Sequence, residues 1–152
     1  MHIKPIIAIV LIISAVLLAA KLSPEISTEQ FREGKYIHVD SIVIQFDKAN
    51  ADAYIEYRLS LFAKAYMFVF GSKNLEPKIK EIFADFEEVK ILGIGSNSAS
   101  LQITNISKKS DQYYLHESRK FGVQPDTLTL VYPDGTRRNT LNPKTTPSAF
   151  YK

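Results

Sequence analysis

Two histidine–carboxylate pairs are the first residues whose types and spacing suggest chemistry. His38 and Asp40 lie two apart in a stretch that alternates like a strand, so both side chains leave one face. His116 and Glu117 are neighbours farther along. Imidazole and carboxylate together suit zinc or manganese. Nothing in their spacing makes the pairs converge, and a hydrogen bond to a strand neighbour accounts for His38 without a metal. Gly93-Ile94-Gly95-Ser96 follows a strand, as phosphate-cradling loops do, but those loops open onto a helix N-terminus whose free amides hold the anion. Here Ala99-Ser100-Leu101-Gln102-Ile103 alternates like another strand, which makes a hairpin. No GxSxG elbow is present, and Ser96–Ser100, Ser110 and Ser118 lie beside no evident base. Glu87-Glu88 reads as a solvated helix end. No catalytic, cofactor-binding or metal-ligating residue is therefore assigned.

Aromatic residues offer a second kind of site. Tyr113-Tyr114, Tyr132 and Phe150-Tyr151 fall in the C-terminal third, among Lys108, Lys109, Arg119, Lys120, Arg137 and Arg138. A base or sugar can stack on such a face, although aromatics more often serve the core or an interface. The net charge of +3 is small and no nucleic-acid motif accompanies it, so nucleic acid is not expected as a partner. The chain has no cysteine, which excludes disulfides, thiolate zinc sites and cysteine nucleophiles. Asn105-Ile106-Ser107 is an N-glycosylation sequon, relevant only outside the cell.

The elements that must position these residues are legible from periodicity. With 45% hydrophobic and 23% charged residues, the chain has the balance of a folded protein. In Tyr36–Phe46 both alternating sets are partly apolar, which predicts a central strand. Residues 51–59 alternate cleanly and complete a hairpin across Asp47-Lys48-Ala49-Asn50. Leu61–Phe70 is the most apolar stretch of the domain and too short to span a bilayer. It is expected to be a buried core helix, the alternative being a helix that dips into the lipid surface. Asn74 is expected to cap a helix whose Leu75, Ile79, Ile82, Phe83 and Phe86 share a face. Val89–Ile94 and Ala99–Ile106 read as strands. Asp111 is expected to cap a helix with Tyr114, Leu115, Ser118 and Phe121 on it, ended by Gly122. Thr127–Tyr132 and Thr136–Leu141 are strands joined by Pro133-Asp134-Gly135. The closing Phe150 and Tyr151 should dock, Phe150 against the domain and Tyr151 beside it with its hydroxyl nearer solvent. The class is α+β: a mainly antiparallel sheet with two or three helices packed on it, over residues 35–152.

The head of the chain differs in kind. From Pro5 to Ala20 there is no charge and Ser14 is the sole polar side chain. As a helix this run spans roughly 24 Å, and Lys21 and Leu22 extend it, so residues 5–22 suit a bilayer as partner. Lys4 and His2 precede it while Glu25 and Glu29 follow, which keeps the N-terminus cytoplasmic and sends the rest outside. Cleavage as a signal peptide would place Leu18 or Leu17 at position −3, where a small residue is needed. Residues 1–22 thus read as an uncleaved transmembrane anchor, with a signal peptide as the alternative. Residues 23–34 form a linker with a short helix through Thr28–Arg32.

The strings GSKNLEPKI (71–79), YYLHESRKFG (113–122) and LTLVYPDGT…TPSAFY (128–151), following such an anchor, resemble small membrane-anchored proteins of methane-producing archaea. The resemblance implies an envelope location and attaches no activity, cofactor or site. The expected function is a non-enzymatic envelope protein, held in the cell membrane by a single pass, whose outer domain binds a partner protein or another envelope component. Two alternatives stay open. One is an accessory subunit of a larger membrane complex, packed through the small residues Ser14, Ala15, Ala19 and Ala20. The other is an extracytoplasmic hydrolase.

Overall fold

The computed structural model describes residues 36–152. The expected anchor or signal peptide over 1–22 and the linker over 23–34, with its short helix, lie outside the described residues. Among the described residues no helix is long and apolar enough to cross a membrane.

Strands β1 (Ile37–Asp47) and β2 (Asn50–Leu59) form the expected hairpin, turned at Lys48, whose φ is +54°. In β2, Ala51, Ala53, Ile55, Tyr57 and Leu59 are buried while the residues between them face water. β1 is central in position but not buried on both faces. A β-bulge between Val39 and Ser41 shifts its phase by one residue. Ile37 and Val39 before the bulge, and Ile42, Ile44 and Phe46 after it, therefore all enter the core. The two partly apolar sets in the sequence are one buried face with an extra residue, Asp40, inserted.

Strands β3 (Glu88–Ile94) and β4 (Ser98–Thr104) also pair as expected, and their turn is latched by Tyr57, whose hydroxyl lies 2.8 Å from the Gly95 carbonyl. Later in the chain come β5 (Ser107–Ser110), β6 (Tyr113–His116), β7 (Thr127–Val131), β8 (Arg137–Leu141) and β9 (Ala149–Tyr151). The large sheet has the order β3-β4-β2-β1-β7-β8, antiparallel throughout except where β7 joins β1 in parallel. The small sheet is β5-β6-β9, fully antiparallel. Among the described residues the fold is α+β, mostly sheet with two helices.

Three local expectations fail for identifiable reasons. Asp111 opens no helix; with φ at +51° it turns β5 back into β6, and Tyr113–His116 runs as a strand. Beyond it, Phe121 is buried against Phe83 and Phe86, and Gly122 donates its N–H to the Ile82 carbonyl. Gly122 therefore ends no helix of its own segment; it packs on the last turn of α2 (Glu76–Ile82). A Cβ at Gly122 would collide with the Glu81 carbonyl, so only glycine lets the strap come this close. Asn74 does not cap α2 either: its amide donates to the Phe70 carbonyl and closes the preceding helix.

That preceding helix, α1 (Leu61–Phe70), is the largest departure. It is not core. Ser60 caps it, accepting from the Ala63 N–H, yet of its ten residues only Ala63 is buried, with Met67 partly so. Leu61 is 87% exposed and Phe68 91%. The apolar residues are so evenly spread around the helix that periodicity cannot show which side is covered. The core instead takes the face of α2, with Ile79 and Ile82, plus Phe83 and Phe86 just past its end.

The small sheet is sewn to the large one through polar groups. His116 is fully buried: its Nδ1–H donates to the Ile106 carbonyl at 3.0 Å, so Nε2 is the acceptor for the Thr146 hydroxyl at 2.7 Å. Thr146 Oγ1 in turn accepts from the Arg119 N–H. Burial disfavours the charged ring and pushes its pKa below the ordinary value, so the imidazole is held neutral. The docking of the tail is confirmed with its two rings exchanged. Tyr151 is buried against Phe46, with ring centroids 4.7 Å apart, and Phe150 is 72% exposed. As part of a strand, adjacent residues must face opposite ways. The Tyr151 hydroxyl is not in solvent: it donates to the Lys48 carbonyl at 2.8 Å, and Ser107 Oγ lies 2.6 Å away to donate back. Burial pushes this hydroxyl's pKa up to about 12.

Because the folded imidazole titrates below the unfolded one, stability should be full above about pH 6.5 and decline as pH falls from there towards the folded pKa. Denaturant unfolding across this range should show the decline, and His116→Leu should abolish that part of the slope. Tyr151→Ala should cost about 3–5 kcal/mol, and Phe150→Ala under about 0.5 kcal/mol, in the same measurement.

Candidate functional site

The residues singled out in the sequence are separated by the fold. His116 is interior and structural, and Glu117 is an exposed partner of Lys108 at 3.0 Å. Neither joins His38 and Asp40. Gly95 belongs to a hairpin turn, its N–H bonded to the Ser98 carbonyl, with no helix behind it to hold a phosphate.

His38 and Asp40 acquire a different companion. β7 runs parallel to β1 in the register Ser41 opposite Thr127, and the Asp126 N–H donates to the Val39 carbonyl. This sets the Asp126 carboxylate 2.9 Å from His38 Nε2, with Asp40 Oδ1 3.5 Å away from the same nitrogen. The bulge is what turns Asp40 outward beside His38. One donor atom from each of the three lies within 4.8 Å of the others, a spacing a divalent ion can bridge. A cation already occupies the spot: Arg58 places its Nε 2.7 Å and its terminal nitrogen 2.6 Å from Asp40 Oδ1. The Asp40 hydrogen bond raises the Arg58 pKa further, so the guanidinium stays charged and repels a metal. No local pattern pointed to Asp126, 88 residues from His38 in sequence. Only the parallel pairing brings it in.

The aromatics named from the sequence do converge. At the end of the sheet away from α1, Tyr113 of β6, Phe150 and Tyr151 of β9, and Tyr132 after β7 line an open hollow of about 570 Å³. Asp134, Arg138 and Lys152 add both signs of charge to its wall. The Thr136 backbone N–H holds the Asp134 carboxyl below the usual range, keeping it ionised. Lys152 Nζ sits 4.9 Å from the centre of the Tyr113 ring. A second hollow, walled by Ser110, Asp111 and Gln112, shares Tyr113 and Phe150 with the first. Phe150 is thus an exposed ridge between two depressions, and its strand neighbour Tyr151, on the opposite face, is packed against Phe46 and Tyr132. Chemically this face can stack on a flat ring or the apolar side of a sugar while its charged rim bonds to polar substituents. Tyr114, by contrast, turns back and stacks on Tyr151, centroids 5.9 Å apart.

Removing the guanidinium should unmask the carboxylate–imidazole set. Stoichiometric zinc should leave the His38 ring NMR signals unmoved in the native protein and shift them in Arg58→Ala.

No protein-family model matches the chain, and neither does any curated protein or solved structure.

Proposed function

We propose that this is a non-enzymatic, membrane-tethered envelope protein that uses its outer domain to bind a partner protein or another envelope component. In this reading residues 5–22 hold it in the cell membrane and the aromatic hollow is the recognition surface. The observation that carries the proposal is the placement of Phe150: a large ring 72% exposed on a rigid, hydrogen-bonded strand, flanked by two hollows. An exposed ring contributes little to folding, whereas on a preorganised surface it can supply a binding anchor at small entropic cost. The mixed rim of Asp134, Arg138 and Lys152 favours a ligand with polar groups around an apolar centre. The hollow also lies at the opposite end of the sheet from Tyr36, where the described residues begin.

The tagged full-length protein, solubilised from membranes in detergent, should retain a stoichiometric partner or envelope polymer. Phe150→Ala and Tyr113→Ala should each release it without lowering the melting temperature of the domain. Retention unchanged by both substitutions would place the binding surface elsewhere.

A further inference from the structure

The outward side of α1 is apolar. Ala63 and Met67 set the seated side; Leu61, Ala65, Phe68 and Val69, at i, i+4, i+7 and i+8, point the other way. In a surface helix that side would be polar. From Leu61 to Leu75 there is no acidic residue, while Lys64 and Lys73 are exposed. The chain also enters the fold here: the Tyr36 carbonyl accepts the N–H of Ser60, the residue that caps α1, and the Tyr36 ring lies 6.1 Å from that of Phe62. Between Ala20, the last residue of the apolar run, and Tyr36 lie only residues 21–35, which even when extended cover at most about 54 Å. Whatever receives the apolar head is thus within reach of α1.

We infer that α1 is a membrane-surface helix, lying in the plane of the bilayer with Leu61, Ala65, Phe68 and Val69 among the upper acyl chains and Lys64 and Lys73 among anionic headgroups. Binding of a helix to a bilayer surface grows with the apolar area it buries and with attraction of its lysines to anionic lipids, and α1 offers both. The inference rests on the tethering proposed above, and adds that the domain is held at two points and therefore in one orientation. With α1 down, the opposite end of the sheet, which carries Phe150 and the β7–β8 turn, faces away from the lipid.

The absence of cysteine makes this measurable in the full chain. A single environment-sensitive fluorophore is attached at Phe68→Cys, or at Arg137→Cys near the opposite end of the sheet, and the protein is reconstituted into vesicles containing anionic lipid. An in-plane helix sits about 5–10 Å into the headgroup–acyl boundary. A lipid spin-labelled at a shallow acyl position should therefore quench the probe at 68 several-fold more than the probe at 137, and Lys64→Glu with Lys73→Glu should weaken that quenching. Three results overturn the inference. If the chain does not float with the vesicles, the tether fails and this contact with it. If it floats and the probe at 68 is unquenched and in water, the tether stands and the surface helix alone is wrong. If the probe at 68 is shielded but not quenched by lipid, and the unlabelled Phe68→Cys variant crosslinks between copies, a second copy of the chain covers α1.

Discussion

One extra residue in β1 sets the terms for the domain. Without the bulge at Asp40, strict alternation would send either Ile37 and Val39 or Ile42, Ile44 and Phe46 into water, because strand side chains have a period of two. The bulge lets all five face the same way. That single apolar face receives α2, the Phe121 strap and the small sheet, while the opposite face remains polar enough to be solvated. The inserted residue has its own consequence, since Asp40 joins His38 on the outer face and is then neutralised by Arg58 from the neighbouring strand.

The small sheet would be a weak element alone, its strands being three or four residues long. Its attachment combines buried rings with satisfied polar groups. Phe46, at the far end of β1, touches the rings of His116, Tyr132 and Tyr151. His116 and the Tyr151 hydroxyl then fix the register through hydrogen bonds to Ile106, Thr146, Lys48 and Ser107, and among the described residues no buried side-chain polar atom lacks a partner. Such a network tolerates one geometry, because a missing partner leaves a buried donor or acceptor unpaired. The exposed Phe150 is displayed by that rigidity.

The resulting domain has two unlike ends. One holds the chain entry, the apolar α1 and the His38–Asp40–Arg58–Asp126 charges; the other holds the aromatic hollow. The β1–β2 hairpin connects them with a ladder from Asp47 opposite Asn50 to Ile37 opposite Leu59, interrupted only at the Asp40 bulge, so the separation is fixed.

Elements whose signals are local can be read from the residues alone. The alternation of β2, the turn chemistry at Pro133-Asp134-Gly135 and the hairpin at Gly95 need only neighbouring residues, and each appears where expected; the buried residues of α2 do too, although the helix stops at Ile82 and Phe83 and Phe86 reach the core from the turns after it. Tertiary structure decided what depends on distant partners. Tyr113–Phe121 carries spacings compatible with a helix, but β5 and β9 recruit Tyr113–His116 as a strand and Phe83 recruits Phe121. Which of Phe150 and Tyr151 is buried followed from the face of β9 that meets Phe46. Asp126 came to His38 through a parallel pairing that leaves no mark in sequence. Leu61–Phe70 shows the same limit most plainly: its apolarity is written in the residues, but whether a helix is covered depends on what the rest of the chain places above it, and here the core was filled by α2.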